Sequence, residues 1–208
     1  TKGKSYLHQI LKETKRLETM IQRVEEYILI RRPIFQKEKM DEVIETVLQT
    51  FSKEAAEKEV SINLEAQVLK EGREFFIDKD LIAKALIYIL ENSMEAVVQK
   101  PVGKKGRIIK VTLFEDGENI GVSISDRGEG IPQKNLDQIF EPFFSTRPER
   151  VGLGLTFAKK VVEEQGGVIQ VESRLKRGTT VTLTFPKDRR RILRRERISP
   201  ESTGENID

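Results

Sequence analysis

The sequence contains no cysteine, and it has a single histidine, His8. The lack of cysteine excludes disulfides, cysteine-based zinc sites and thiol catalysis. An excess of one charge is also lacking. The 37 Lys and Arg residues are balanced by 34 Asp and Glu residues, which gives no reason to expect a nucleic-acid partner. No apolar run approaches the length of a membrane span. There is no initiator methionine, so we expect a processed product or a piece of a longer protein, with room for membrane segments upstream.

The sequence is rich in charged residues of both signs. Charged residues make up 34% of the 208 residues, against 37% hydrophobic residues. One sizeable domain with a long exposed helix and a charged tail accounts for this composition. We predict a helix at 1–32, a linker at 33–40, a domain at 41–186 and a basic, partly disordered tail at 187–208. We interpret the tail as a solvated extension, with a membrane-surface or acidic-partner site as the alternative.

Residues 5–30 have apolar side chains at steps of three and four, which predicts a long helix. The apolar stripe is narrow, as in the seam of a coiled coil, and the other faces are heavily charged. We therefore expect this helix to pack against a partner helix, although an ordinary surface helix has the same periodicity. Pro33 ends the helix because proline disfavours helical geometry at the preceding residue.

The rest of the chain alternates between helices and strands. Asp41 and Asp78 are suitably placed to start two of the helices, and Asp116-Gly117 marks a hairpin turn. Because neighbouring strands are joined by hairpins, we expect an α+β fold with a mixed, mostly antiparallel sheet and helices on one face. The predicted helices are 41–58, 79–99 and 154–165, and the predicted strands are 60–68, 74–77, 107–114, 119–126, 168–173 and 179–185.

Two motifs in this domain are typical of ligand contacts made by side chains and turns. Asn92 lies at the edge of an apolar helical face, and Asn oxygens are ligands for hard cations such as Mg²⁺. Asp126 ends a strand and is followed by Gly128 and Gly130, which permit the backbone to approach a ligand closely. A carboxylate in that place accepts a hydrogen bond from an exocyclic amine such as that of adenine. Alone, each motif also fits a simpler explanation, a satisfied helix-edge amide or a strand-ending turn.

Two further motifs follow in the next segment. Phe143 and Phe144 lie in a polar loop, where exposed aromatic pairs need a docking surface, and Arg147 is placed to meet a phosphate. Gly152-x-Gly154 opens a helix, and the free N–H groups of a helix start bind anions. A loop-anchoring cluster with a solvated arginine, and an ordinary glycine-rich helix start, are the simpler alternatives.

The order and spacing of these four motifs resemble the N, G1, F and G2 boxes of the sensor histidine kinases. Gly178-Thr179-Thr180 before the last strand matches the final box of that family. The family belongs to the GHKL ATPases, with gyrase, Hsp90 and MutL. The resemblance covers residues 41–186, and FEPFFST followed by GLGL is its most specific text.

The resemblance implies the two-layer α/β sandwich of the Bergerat or GHKL fold, preceded by one long helix. It implies ATP and Mg²⁺ as cofactors, with Asn92 as the Mg²⁺ ligand and Asp126 as the adenine-binding carboxylate. Residues 133–151 would form a mobile lid over the nucleotide. Thr179 would join the adenine network, with Thr180 as an equal candidate. The nucleotide-binding set is Asn92, Asp126, Gly128, Gly130, Ile131, Phe144, Arg147, Gly152, Leu153, Gly154, Leu155 and Thr179.

The sequence departs from the family pattern in three places. Tyr88 replaces the Asn or His often found four residues before Asn92, which alters one ATP contact and argues against efficient hydrolysis. Arg150-Val151 replaces Gly-Thr before GLGL, which stiffens the lid and offers a further phosphate contact. There is also no His-Glu-x-x-x-Pro acceptor box, and His8 is followed by Gln9 rather than by an acid. We therefore expect His8 to be structural or solvent-facing, and the acceptor-bearing first helix of the dimerisation hairpin to be missing.

These features imply the catalytic ATP-binding domain of a sensor histidine kinase, a phosphotransferase. The whole protein would transfer the γ-phosphoryl of Mg-ATP to a histidine and then to an aspartate of a response regulator. The implied partners are that receiver domain and a second copy, bound through the N-terminal helix, and the implied location of this domain is cytoplasmic. A protein-serine kinase of the anti-sigma type and a catalytically dead interaction module remain as alternatives.

Overall fold

The computed structural model describes residues 2–66, 74–99, 106–147 and 150–187. The predicted N-terminal helix is present as α1, Lys2–Ile28. The basic tail beyond Lys187 lies outside the described residues, as do the end of the predicted strand 60–68 and most of a turn predicted at 103–106.

Helix α1 stands largely clear of the rest of the chain. Its apolar stripe is between 58% and 67% exposed at Leu7, Ile10, Leu11, Leu17 and Ile21. Only its C-terminal part is close to the domain, where Tyr27 packs against the hydrophobic core. The apolar stripe of α1 is therefore exposed to solvent in this chain.

The segment predicted to be a linker contains a short strand that the sequence did not indicate. This strand, β1 (Gln36–Glu38), pairs antiparallel with β3 (Phe75–Ile77) in a two-stranded sheet. Its polar sequence, Gln-Lys-Glu, has no alternation of apolar residues from which a strand is predicted. The pairing joins the segment after α1 to the start of the third helix.

The main sheet has five strands in the order β2-β4-β5-β7-β6, and only β2 and β4 run parallel. The expectation of a mixed, mostly antiparallel sheet is confirmed. The strands are β2 Ser61–Ala66, β4 Ile108–Asp116, β5 Asn119–Asp126, β6 Val168–Arg174 and β7 Gly178–Pro186. Strands β4 and β5 are joined by a two-residue turn at Gly117, which has a positive φ of 52°.

Three helices pack on one face of this sheet, as expected. They are α2 Met40–Glu57, α3 Lys79–Gln99 and α5 Gly154–Glu164, while the four-residue α4 (Gln133–Leu136) lies in the segment between β5 and α5. Successive side chains of a strand point to opposite faces of the sheet, and Ile109, Val111 and Leu113 of β4 are buried under the helices. The core of the domain is therefore the layer between the helices and the sheet.

The prediction that Asp41 caps the second helix is wrong. The N-cap position belongs to Lys39, which has an extended backbone and makes no side-chain cap. Asp41 lies in the first turn, where its carboxylate accepts a hydrogen bond from Glu42 N–H at 3.0 Å. A negative charge in the first turn still favours the helix through its dipole.

Asp78 does start α3, and it also ties three parts of the fold together. It is 2% exposed, and its carboxylate accepts hydrogen bonds from Leu81 N–H at 3.1 Å, Ile34 N–H at 2.6 Å and the Arg31 guanidinium. Its own N–H donates to Gln165 Oε1, at the end of α5, at 2.8 Å. Burial alone would raise the pKa of Asp78, but the hydrogen bonds from Arg31, Ile34 and Leu81 lower it below its ordinary 3.8.

We expect Asp78→Asn to destabilise the chain by about 2 kcal/mol at pH 7, because it replaces the buried, charged acceptor of Arg31, Ile34 N–H and Leu81 N–H by a neutral amide. The folded-state pKa of Asp78 is below the unfolded one, so this stabilisation is present above about pH 4 and is lost as pH falls through the lowered pKa. Urea unfolding followed by circular dichroism at pH 7 and pH 3 measures both effects. Asp137→Asn, which changes an exposed aspartate at the end of α4, is the control. An equal difference between wild type and Asp78→Asn at both pH values would contradict the assignment.

Candidate functional site

A cavity of about 520 Å³ opens between α3, the end of β5, the β5–α5 segment and the β6–β7 hairpin. This volume is within the range of small-molecule sites. All but one of the twelve residues predicted from the sequence line it: Asn92, Asp126, Gly130, Ile131, Phe144, Arg147, Gly152, Leu153, Gly154, Leu155 and Thr179. The fold thus brings together, at one cavity, motifs that are spread over some ninety residues of sequence.

One end of the cavity is built around Asp126. This side chain ends β5 and is 6% exposed. Its Oδ1 accepts hydrogen bonds from Gly128 N–H at 2.7 Å and Thr179 N–H at 3.3 Å, and the Ser93 hydroxyl lies 3.4 Å from Oδ2. These contacts fix the carboxylate in place at the cavity wall.

The structure separates the two threonine candidates. Thr179 lines the cavity, and its hydroxyl lies 2.9 Å from Ser173 Oγ. The Thr180 hydroxyl instead lies 2.9 Å from Ser125 Oγ, and Thr180 does not line this cavity. The alternation of β7 places the two side chains on opposite faces of the sheet.

The glycines after Asp126 are needed for packing and for backbone conformation. Gly128 is the one predicted residue that does not line the cavity, because it lies against α3, where a side chain would collide with Ala96. Gly130 has a φ of 71°, a conformation that favours glycine, and a side chain there would meet the Arg174 carbonyl. Next to it, Ile131 N–H donates to Ser173 Oγ at 2.7 Å.

The other end of the cavity is the start of α5. Gly152 has a φ of 75°, and its carbonyl accepts a hydrogen bond from Phe143 N–H at 3.1 Å. Leu153 occupies the N-cap position and makes no side-chain cap, and the first N–H groups of a helix have no partner within the helix itself. With Asn92 of α3 also on the cavity wall, this end offers amide donors and one amide oxygen.

The two residues of the predicted aromatic pair lie in different environments. Phe144 is partly buried and lines the cavity. Phe143 is 64% exposed and has a positive φ of 68°, which is unusual for a residue other than glycine. Only one of the two rings therefore docks at the site.

The predicted phosphate-contacting arginine, Arg147, forms an ion pair with Glu95 of α3. Arg150 forms ion pairs with the same Glu95 and with Glu91, the latter at 3.4 Å. Burial lowers the pKa of Arg150 below its ordinary value, and the nearby positive charge of Arg23 lowers it further. The two arginines of the predicted lid thus form ion pairs with carboxylates of α3.

Sequence reasoning missed a further cationic residue. Arg23 of α1 lines the cavity and donates to Glu91 Oε2 at 2.6 Å. In the sequence it is one of many charged residues on a helix predicted to pack elsewhere, so no local pattern marks it. Tyr88, in contrast, does not line the cavity, and its hydroxyl donates to Glu26 of α1.

The family model described as "Histidine kinase-, DNA gyrase B-, and HSP90-like ATPase" matches residues 77–189, more than half of the chain. The matched segment runs from the start of α3 through β7, and so spans most of the cavity wall. The chain belongs to this ATPase family, and its domain is an ATP-binding domain.

Individual relatives specify the branch of the family. Sensor histidine kinase ZraS of Escherichia coli strain K12 is 32% identical over 175 residues, which are 84% of this chain and 36% of the relative. A structure of the nucleotide-free catalytic domain of histidine kinase ThkA is 28% identical, with a TM-score of 0.65, and the match covers 74% of this chain and 96% of that one. ThkA in complex with response regulator protein TrrA is 29% identical, with a TM-score of 0.71, over 88% of this chain and 51% of that one. The domain is therefore of the sensor histidine kinase type.

The chain spans about a third of the length of the curated relatives that it matches first. Among the described residues, no helix is long and apolar enough to cross a membrane.

We expect Glu95→Gln to loosen the lid, because the carboxylate that holds both Arg147 and Arg150 loses its charge. Loss of roughly 1 kcal/mol of ion-pair energy should speed tryptic cleavage after Arg150 about fivefold. Cleavage is followed by mass spectrometry of the intact chain under native conditions. Glu141→Gln, an exposed carboxylate of the same segment, is the control and should be cleaved at the wild-type rate. Equal rates in all three proteins would show that Glu95 does not restrain the lid.

Proposed function

We propose that this chain is the ATP-binding catalytic domain of a sensor histidine kinase, and that the whole protein transfers the γ-phosphoryl of Mg-ATP to a histidine. The observation that carries the proposal is the convergence of Asp126, Asn92 and the start of α5 on one cavity. From the histidine, the phosphoryl group would pass to an aspartate of a response regulator.

In this proposal the buried end of the cavity binds adenine. The Asp126 carboxylate accepts a hydrogen bond from the exocyclic amine, and its own contacts with Gly128 and Thr179 hold it in place for that purpose. Gly130 and Ile131 shape the wall beside the base, and Phe144 supplies an apolar contact. The depth of Asp126 supports this assignment, since a buried carboxylate at a cavity wall favours a hydrogen-bond donor from the ligand.

The open end of the cavity binds the phosphates. N–H groups at Gly152, Leu153, Gly154 and Leu155 face anionic oxygens at the start of α5. Arg147 exchanges Glu95 for phosphate when the lid closes on the nucleotide.

Asn92 would supply an oxygen ligand to Mg²⁺, which neutralises charge that develops on the transferred phosphoryl group. Among the described residues, no cluster of three or more His, Cys, Asp or Glu side chains is suited to a metal. The proposed ion is therefore held jointly by the Asn92 oxygen and the phosphates. Mg²⁺ ions of this kind usually have few protein ligands.

Catalysis by this domain consists of positioning and charge stabilisation rather than covalent chemistry. The position that carries a water-activating Glu in hydrolytic relatives is Tyr88, whose hydroxyl is engaged with Glu26. Burial and the adjacent Glu26 carboxylate raise the pKa of Tyr88, so it stays protonated and is unsuited to act as a general base. The site is suited to phosphoryl transfer rather than to hydrolysis.

Helix α1 supports the proposal that the full-length protein is a homodimer. Its exposed apolar stripe fits a partner helix of the dimerisation hairpin, which a second copy would complete. ThkA, a relative, is known in complex with a response regulator protein, which supports a receiver domain as the partner of this protein. A cytoplasmic location of the domain is part of the same proposal.

The catalytically dead interaction module is the second candidate, because Tyr88 and Arg150 depart from the family pattern. The cavity nevertheless keeps its volume, its buried Asp126 and its glycine-bearing helix start. Calorimetry with Mg-ADP separates the two candidates, since a dead module would show no binding at millimolar nucleotide.

We expect Asp126→Asn to weaken Mg-ATP binding by about 10- to 100-fold, because it replaces a charged acceptor of the adenine amine by an amide. Titration calorimetry measures the affinity, and circular dichroism verifies that the variant is folded. Asp137→Asn, in an exposed part of the same segment, is the matched control and should bind as wild type. Equal affinities of wild type and Asp126→Asn would refute the adenine assignment.

We also expect the 208-residue chain to bind Mg-ATP without phosphorylating itself. His8 is exposed on α1, outside the cavity, and lacks the acidic neighbour of an acceptor box. The chain is incubated with γ-labelled Mg-ATP and analysed for acid-labile phosphate. Label that appears in wild type and disappears in His8→Ala would show that His8 is an acceptor.

A further inference from the structure

Helix α1 contributes to the wall of the nucleotide cavity. Of the described residues that line the cavity, Arg23 is the one that comes from α1. Its side chain is 18% exposed and donates to Glu91 Oε2 of α3 at 2.6 Å. A cationic side chain from outside the nucleotide domain thus reaches the proposed phosphate end.

Tyr88 and Glu26 hold α1 in this position. The Tyr88 hydroxyl donates to Glu26, which also forms an ion pair with Lys84 of α3 at 2.9 Å. The Arg23 guanidinium lies over the Tyr88 ring, 4.8 Å from its centroid. The same ring packs edge-on against Phe157 of α5, with centroids 5.1 Å apart. Tyr88 is therefore the point at which α1, α3 and α5 meet.

Positively charged side chains cluster at this end of the cavity. Three guanidinium groups, from Arg23, Arg147 and Arg150, converge on the two carboxylates of Glu91 and Glu95. After burial, the positive charge of Arg23 is the main influence that lowers the pKa of Arg150, although Glu91 and Glu54 oppose it. An additional anion relieves the repulsion between these guanidinium groups. Mg-ATP is a net anion, and its phosphates are strong acceptors for guanidinium groups.

We propose that Arg23 is a phosphate-binding residue of this pocket, and that Tyr88 and Glu26 are positioning residues that hold it there. The inference rests on the proposed nucleotide function of the cavity. Because Arg23 belongs to α1, binding of nucleotide and docking of α1 stabilise each other to the same extent. The site is then complete only when the helix is docked.

Tyr88, which departs from the family pattern, has a role of its own in this proposal. Tyr88 stands where relatives carry a polar residue that contacts ATP, and it does not line the cavity. Its hydroxyl instead binds α1, and its ring supports Arg23. A guanidinium group delivered from the helix thus takes over the part that the polar side chain plays in those relatives.

The test is titration calorimetry of the 208-residue chain with Mg-ATP, together with an adenosine titration followed by NMR. For Arg23→Gln we expect about tenfold weaker binding of Mg-ATP and unchanged binding of adenosine, which has no phosphates. Arg32→Gln is the matched control, because Arg32 is an exposed arginine just beyond α1. It should bind both ligands as wild type does.

Tyr88→Phe tests the positioning role, since it removes the hydroxyl and keeps the ring on Phe157. We expect about threefold weaker Mg-ATP binding, again without change for adenosine. Hydrogen exchange of residues 17–28 supplies a second measurement: Mg-ATP should slow exchange in wild type and slow it less in Tyr88→Phe and Arg23→Gln.

Three results would overturn the inference. Wild-type affinity for Mg-ATP in Arg23→Gln would remove Arg23 from the site. An equal loss of adenosine binding would show that Arg23 acts through the fold rather than through phosphate. If the wild-type chain bound neither ligand, the nucleotide function and this inference would both be wrong, whereas the first two results leave the nucleotide function intact.

Discussion

The burial of one side of α3 between the sheet and its flanking helices determines where the polar groups of the site stand. Leu86, Ile89, Leu90 and Met94 are at most 2% exposed, so the helix has one possible rotation about its axis. That rotation places Asn92 and Glu95 at the cavity. Any rotation that moved these polar residues away would expose large apolar side chains, at a cost of about 2 kcal/mol for each. The site is thus positioned by the hydrophobic core rather than by its own contacts.

The carboxylates of α3 have a second effect, on the lid. Glu95 forms ion pairs with Arg147 and Arg150, and all three residues line the cavity. In the proposed phosphate-bound state these partly buried ion pairs would be broken, which would lower the net gain on binding. The two guanidinium groups would, however, already lie near the proposed phosphate site, so that less side-chain entropy would be lost when nucleotide binds.

The parts of the fold and site that could be predicted are those that local sequence determines. Asp126, Gly130 and Gly152 are recognisable because a strand end and two positive φ angles impose residue types on the chain. The β4–β5 and β6–β7 hairpins follow from turns and alternation, which are also local, whereas the β2–β4 and β5–β7 pairings join segments far apart in the sequence. Strand β1 escaped prediction because its pairing with β3 depends on residues some forty positions away.

The remaining features of the site could not be predicted because they depend on how distant segments pack together. Arg23 reaches the cavity only because of the angle at which α1 meets the domain, and nothing in the periodicity of the helix encodes that angle. Phe143 and Phe144 are equivalent in sequence, yet the positive φ at Phe143 turns one ring to solvent and leaves the other in the cavity. Thr179 and Thr180 differ only in strand register, which the pairing of β5 with β7 decides.

The position of Tyr88 connects these observations. Its ring packs on Phe157, in the first turns of α5, and the start of α5 is the proposed phosphate-binding turn. Its hydroxyl binds Glu26, and its face supports Arg23, both on α1. A displacement of α1 and a rearrangement at the start of α5 therefore act on the same buried side chain. Because packed side chains of this kind have discrete arrangements rather than continuous ones, the helix and the nucleotide pocket have a direct physical route by which each affects the other.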